Sequence, residues 1–335
     1  MRLRPRALLR KGRSWLRRRQ RRRVVPHAAV LMYHRVATAA ADPWNLCVTP
    51  LHFDQQLQAL GRFADFVPLG RLRERMVAGG SARPAIALTF DDGYRDNLDV
   101  ALPILERHAA PATVFLVTDH IQSGTPFWWE LLADLALCSL RLPPRGRLAA
   151  AQPPFEWSDQ ALAASSGPAD PARQRLLAAL WNWLVRLTPA TRTAALQEFA
   201  ATIGRDLAPD PAALPLTPAE LGRLTASGLV QAGAHTCSHV RLTDLAPAAQ
   251  LEEIAGSRAA CARLTGRLPE TFSYPFGELD ESARSCVAQA GFTIACSSDP
   301  DLAWADGDPL RVPRIGVRDA PGEQLARLLR RYWFA

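Results

Sequence analysis

The chain has 335 residues, 48% of them hydrophobic and 21% charged. That length can bury one large core or two modest ones, and no apolar run reaches the roughly 20 residues a membrane-spanning helix needs. The formal charge of +8 is carried by one end: residues 1–23 hold eleven arginines plus Lys11 and no acid, which leaves 28 cations against 32 acids in the remainder. The body of the protein therefore offers no basic surface, and no specific nucleic-acid partner is expected.

Residues 1–23 read as an arm, either solvated and disordered or drawn to an anionic membrane surface. The basic run is too long for the start of a secretory signal, and Pro26 and His27 interrupt the apolar stretch behind it. Six cysteines (Cys47, Cys138, Cys237, Cys261, Cys286, Cys296) show no paired spacing, which fits a reducing compartment. The expected location is cytoplasmic, peripheral to the inner membrane if the arm binds lipid.

From residue 24 onward strands and helices alternate. Residues 28–33 form an apolar strand ending at His34, and Thr49-Pro50 caps a helix running to about residue 62. A short strand is expected near Phe66, a buried one over 85–90, a helix over 96–108 and a strand over 112–117. Residues 125–216 break the rhythm with three helical patterns (127–137, 173–187, 190–203) separated by Pro-, Ala- and Ser-rich spacers. They read as a helical insertion within the domain spanning 24–335. Thr217-Pro-Ala-Glu220 is a capping box whose helix leads into a strand at 229–234. Further strands are expected at 271–273, 292–296 and 311–317, with helices over 246–265, 279–290 and 321–333. Such alternation indicates a mostly parallel α/β fold.

The chemistry-bearing residues follow strand ends. Ala85-Ile-Ala-Leu-Thr-Phe-Asp-Asp-Gly93 ends in two carboxylates, and Leu229-Val-Gln-Ala-Gly-Ala-His-Thr-Cys-Ser-His239 ends in His-x-x-x-His. If helical, that spacing puts both imidazoles on one face. Two imidazoles and one carboxylate are the ligands of a zinc site that keeps a position open, and the second carboxylate is then free to act as a base. His34 and the Tyr274-Pro-Phe-Gly277 turn also follow strands, and in a parallel barrel those ends share one face. Each has a plainer reading. Paired aspartates also form turns, a lone histidine can simply be packed, and Trp128, Trp129, Trp181 and Trp183 in the insertion are core, a sugar-stacking wall or a docking surface. His27, His52, His108 and His120 have no partner pattern, and Cys237 reads as a spacer.

Thr89-Phe-Asp-Asp-Gly93 together with His235-Thr-x-x-His239 resembles the NodB-homology polysaccharide deacetylases, over about residues 28–317 less much of the insertion. The resemblance implies a distorted (β/α) barrel with fewer than eight units and a divalent metal, most often Zn²⁺. By position, Asp92, His235 and His239 resemble the metal ligands and Asp91 the catalytic base. Phe276 resembles the residue whose backbone N–H stabilises the oxyanion, with Tyr274 and Arg314 as further oxyanion or substrate candidates. Two departures stand out. The family's usual arginine partner of the base is replaced by Ser273, a charge that Arg314 can supply from another strand, and no histidine follows His239. Tyr33-His34 resembles the N-terminal motif of the biofilm poly-N-acetylglucosamine deacetylases, which makes His34 the expected general acid. The implied reaction is removal of N-acetyl groups from an acetylated polysaccharide, oligosaccharide or lipid-linked glycan. The alternatives are an O-acetyl esterase, a deformylase and a catalytically inactive carbohydrate-binding barrel. The oligomeric state is not legible in the sequence.

Overall fold

The computed structural model describes residues 27–78, 83–207 and 210–334. The arm expected at residues 1–23 lies outside them. Among the described residues no helix is long and apolar enough to cross a membrane.

The strands are β1 (His27–Tyr33), β2 (Arg35–Val36), β3 (Cys47–Val48), β4 (Asp65–Phe66), β5 (Ala85–Phe90), β6 (Ala112–Leu116), β7 (Arg145–Leu148), β8 (Phe155–Ser158), β9 (Val230–Ala234), β10 (Thr271–Ser273), β11 (Ile294–Cys296), β12 (Ala303–Trp304) and β13 (Ile315–Gly316). Nine of them form one sheet in the order β11-β10-β9-β6-β5-β1-β12, with β4 on β5 and β13 on β1. Every pairing in it is parallel except β1 with β12. Beyond β11 the sheet curls toward its other end through a parallel bridge from Cys296 to Val312. This is an α/β fold with the sheet rolled into a distorted (β/α) barrel.

Strand periodicity sorts the side chains. Ala29, Leu31 and Tyr33 on β1 and Ile86, Leu88 and Phe90 on β5 join the large cluster shared with helix residues Phe53, Leu57, Leu105 and Ile254. Their neighbours of opposite parity, Ala28, Val30, Ala85 and Ala87, join a smaller cluster with Phe115. Continuing that inner parity to the strand ends gives His34 after β1 and Asp91 after β5. Gly233 on β9 has to be glycine, because a Cβ there would lie 2.5 Å from the Phe115 ring and 2.7 Å from the Thr271 hydroxyl.

Most expected elements are present, with β2, β3 and β12 in addition, and three further features stand out. The strand expected at 311–317 is broken at Pro313: Val312 bridges Cys296 of β11, Ile315–Gly316 form β13 on β1, and Arg314 lies between the two pairings. The spacer after residue 138 contains the β7–β8 hairpin, closed by Arg145↔Ser158 through Leu148↔Phe155. The helices of the insertion, Trp128–Ala133, Pro171–Leu184 and Pro189–Thr202, enclose a second core of Leu132, Leu176, Leu180, Leu196, Phe199 and their neighbours. The capping box forms as expected: the Thr217 side chain accepts from Glu220 N–H and the Glu220 carboxylate accepts from Thr217 N–H.

Candidate active site

Asp91 and Asp92 follow β5, and the turn they make is tight. Asp92 has φ +74° and Gly93 φ +80°. Six described non-glycine residues have positive φ, and four of them, Asp92, Thr236, His239 and Phe276, are in this site. Such backbone costs on the order of 1–3 kcal/mol per residue and persists where the surroundings enforce it.

The helical case that the spacing allows is not the one found. His235 to His239 is a loop after β9, without helix, so helical spacing is not what brings the imidazoles together. The left-handed turns at Thr236 (φ +65°) and His239 (φ +55°) do that. The loop is fastened from behind by Glu253, whose carboxylate accepts from Cys237 N–H at 2.9 Å, Ser238 N–H at 3.0 Å and Ser238 Oγ at 2.7 Å. Cys237 is turned away, its Sγ donating to Glu253 O at 3.5 Å, as a spacer residue would be.

Asp92, His235 and His239 each aim one ligand atom at a common point, all within 4.8 Å of one another. Asp92 Oδ1 lies 3.6 Å from His235 Nε2 and 3.3 Å from His239 Nε2. His235 Nδ1 is 2.7 Å from Ser273 O. A carbonyl only accepts, so Nδ1 carries the proton and Nε2 presents its lone pair to the cluster. Burial pushes the Asp92 carboxyl well above its usual range, and the adjacent Asp91 charge pushes the same way. Burial also pulls both imidazoles down, so both offer neutral nitrogen. Asp92 Oδ1 is buried without a hydrogen-bond partner. An orphaned carboxylate oxygen facing two neutral imidazoles lacks a positive charge, and the N₂O donor set suits a divalent ion.

Asp91 is held differently. Arg314 donates from Nη1 to Oδ1 at 2.7 Å and from Nη2 to Oδ2 at 2.8 Å. The remaining guanidinium donors go to Thr89 Oγ1 at 3.2 Å, Ser273 Oγ at 2.9 Å and Ser297 O at 3.0 Å. Burial alone would raise the Asp91 pKa, but the fork of Arg314, with His235 and His34 adding to it, holds the carboxyl well below its usual range. Arg314 thus touches the base candidate directly and fills the place left by Ser273.

His34 shares a cavity of about 430 Å³ with Asp91, Asp92, His235, His239, Phe276 and Arg314, a ligand-sized volume. Burial lowers its pKa to about 4, against the pull of Asp91. Phe276, at φ +58°, packs its ring 4.8 Å from that of His239. Tyr274 does not belong here. It is fully buried, its hydroxyl donates to Leu310 O at 3.0 Å, and its ring packs edge-on against Phe272 at 5.2 Å. Phe272 and Tyr274 share strand parity and face the helices, while Ser273 between them faces Asp91.

Several site residues carry no signature in the sequence. Trp129 packs 4.7 Å from the His239 ring, donates from Nε1 to Tyr94 OH at 2.7 Å, and Tyr94 donates to Glu130 Oε1 at 2.9 Å. Glu130 in turn accepts from Arg35 at 3.2 Å. The nearest hint was the cluster of tryptophans, and Trp129 proves both core and site wall. Trp44 and Trp181 also line the cavity. The other histidines lie elsewhere: His52 meets Asp319 at 2.7 Å, His108 meets Asp54 at 2.9 Å and His120 meets Thr125 O at 2.7 Å.

Comparison with known proteins agrees with this arrangement. The profile of the polysaccharide deacetylase family matches residues 78–138 and 185–295, together half of the sequence. The chain belongs to the polysaccharide deacetylase family. The profile includes Asp91, Asp92, His235 and His239 and omits 139–184, the hairpin and first long helix of the insertion. The chain is also 30% identical over 109 residues to the poly-β-1,6-N-acetyl-D-glucosamine N-deacetylase of Staphylococcus epidermidis, a match covering 29% of this chain and 38% of that relative. Among solved structures it is similar to the Streptococcus pyogenes deacetylase PplD, with TM-score 0.60 and 17% identity over 93% of this chain and 100% of that one. It is similar too to IcaB from Ammonifex degensii, with TM-score 0.56 and 17% identity over 90% and 96%. At these identities the structural likeness speaks to the fold, which these deacetylases share.

Proposed function

We propose that this chain is a metal-dependent hydrolase that removes N-acetyl groups from an amino-sugar glycan. The observation that carries the proposal is the convergence of Asp92, His235 and His239 on one point beside a separate carboxylate, Asp91, saturated by Arg314. Asp92, His235 and His239 would hold the ion, for which Zn²⁺ is the best match to the donors. A divalent ion in that position polarises the acyl oxygen and acidifies water.

The chain's own residues account for the remaining steps. Asp91 is ionised at any working pH because Arg314 keeps it so, and it accepts a proton from the attacking water. The fork on Asp91 also fixes its orientation, so the accepting oxygen is aimed in advance. The Phe276 amide is assigned to the developing oxyanion, a contribution of roughly 3 kcal/mol for one well-aimed donor. An amine leaves only when protonated, and His34 is assigned that donation. Its low pKa makes it neutral in the resting site, so the proton it gives the amine is the one Asp91 takes from the attacking water, passed on to His34 before the amine departs. A barrel without the family arginine could be an inactive binder, and the Arg314 fork on Asp91 speaks against that reading. The glycan named for the Staphylococcus epidermidis relative is the first substrate to try. Attachment to an anionic membrane through residues 1–23, with a cytoplasmic location, is part of this proposal.

The test is acetate release from poly-β-1,6-N-acetyl-D-glucosamine by zinc-loaded protein, with metal content measured in parallel. Asp92→Asn should lose both metal and turnover. Asp91→Asn should keep the metal and lose turnover by about 10²-fold or more. Near-normal activity in Asp91→Asn would overturn the assignment of roles.

A further inference from the structure

The turn that presents the Phe276 amide is strained, and its fastenings can be traced. Phe276 has φ +58° and ψ 2°, and Gly277 after it has φ +68°. Backbone of this kind lasts only where its surroundings enforce it. Pro275 has no N–H, Gly277 N–H donates to Tyr274 O at 2.9 Å, and Glu278 N–H donates to Pro275 O at 3.2 Å. Phe276 N–H meets no acceptor among the described residues, which leaves it open to a reacting oxygen. Gly277 packs against Ser298 with no room for a Cβ, and Ser298 Oγ donates to Phe276 O at 3.5 Å.

Those contacts hold the turn to the segment after β11. One ion pair holds it to the histidine loop. Arg241 donates from Nη2 to Glu278 Oε1 at 2.7 Å and Oε2 at 2.8 Å, and from Nε to Oε2 at 3.1 Å. Glu278 stands two residues beyond Phe276, and Arg241 two residues beyond His239. The pair therefore joins the turn that carries the amide to the loop that carries a metal-ligand candidate. The Phe276 ring contacts both partners of that loop, with its centroid 4.8 Å from the His239 ring and 5.9 Å from the Arg241 guanidinium.

Exposure separates the two uses such a pair can have. Arg241 and Glu278 are 35% and 40% exposed, and an ion pair that wet contributes little to stability. Fixing a reacting group is different, since a displacement of about 1 Å can cost about 10²-fold in rate. The histidine loop is already fastened by Glu253, so the turn is the partner that the pair steadies. We propose that Arg241 and Glu278 are positioning residues for the oxyanion. Their ion pair fixes the Phe276 N–H relative to the point on which Asp92, His235 and His239 converge, and it acts on kcat while leaving metal binding and stability unchanged. This rests on the deacetylase reading and adds two residues to the same site.

The experiment measures kcat and KM for acetate release from the β-1,6-linked N-acetylglucosamine tetramer, bound zinc and the melting temperature. The proteins are the wild type, Arg241→Gln, Glu278→Gln and the double variant. Hydrogen–deuterium exchange over residues 274–280 adds a reading that needs no turnover. Arg284→Gln is the control: it breaks a pair with Asp308 of similar exposure, 33% on each side, and neither residue lines the cavity. The expected result is a fall of about tenfold in kcat for either single variant, with the double variant no worse than either. KM, zinc content and melting temperature stay at wild-type values, and exchange over 274–280 quickens. Arg284→Gln shows none of this. Unchanged kcat, additive losses in the double variant, or loss of zinc together with kcat would overturn the proposal. If the wild type releases no acetate yet exchange over 274–280 quickens in Arg241→Gln, the deacetylase reading fails and the clamp on the turn stands. If the wild type releases acetate and that exchange is unaltered, the clamp falls and the deacetylase reading stands. If Arg241→Gln does not fold, Glu278→Gln decides by the same measurements.

Discussion

Among the described residues the two most deeply buried arginines are one in the barrel, Arg314, and one in the insertion, Arg173. Arg314 spends four of its contacts on side chains, two of them on the Asp91 carboxylate. Arg173 meets the Ser165 hydroxyl and otherwise only backbone carbonyls, those of Leu137, Ser139, Leu140 and Ser165, at 2.6 to 3.4 Å. The barrel uses a buried cation to fix the charge state of a reactive group. The insertion uses one to staple the end of its first helical segment to the start of its next helix. The partner, carboxylate or carbonyl, separates chemistry from architecture where burial does not.

That contrast can be broken most severely at Arg314. Arg314→Met leaves a buried, unpaired Asp91, so stability should fall by about 3–5 kcal/mol in urea denaturation and acetate release by about 10²-fold or more. Adding Ser273→Arg to that variant places a guanidinium on the same inner-facing strand position and should recover a measurable part of both. Failure of any recovery would mean that Arg314 does more than neutralise Asp91. Arg173→Met strands several carbonyls, each costing roughly 1–3 kcal/mol if unsatisfied. The melt should shift accordingly while kcat per folded molecule stays at the wild-type value. A kcat loss there would show that the two regions are not separable. Thr217→Ala is the mildest change. It removes the cap of the helix leading into β9 and should cost about 1 kcal/mol, with the rate constants unaltered.

The sequence disclosed the parts of the site that are contiguous. Asp91 and Asp92 are adjacent, His235 and His239 are four apart, and each pair ends an apolar run, so strand and site could be read together. Arg314 was a candidate because a missing charge has to be supplied, but its bidentate grip on Asp91 depends on its place between Val312, bridged to β11, and Ile315, paired with β1, which no local pattern announces. Tyr274 misled because an aromatic beside a motif looks functional. The alternation that turns it outward with Phe272 was visible in principle, but only once the strand end was fixed. The His-x-x-x-His spacing left open whether a helix or a loop carries the two imidazoles, since left-handed φ at Thr236 and His239 has no compositional mark of the kind glycine leaves. Glu253, Tyr94 and Glu130 act through contacts between distant segments, and nothing local points to them.

The salt bridge between Asp91 and Arg314 joins positions 223 apart in the chain. A ribosome therefore delivers the carboxylate long before its counter-ion. A nascent chain released from the exit tunnel up to β11 would already possess the parallel strands β1, β5, β6, β9 and β10, yet would hold Asp91 without its partner. Maturation of this centre thus waits until residue 314 has been made, and stalled or clipped products ending before residue 311 should be inert and poorly folded however complete their motifs look.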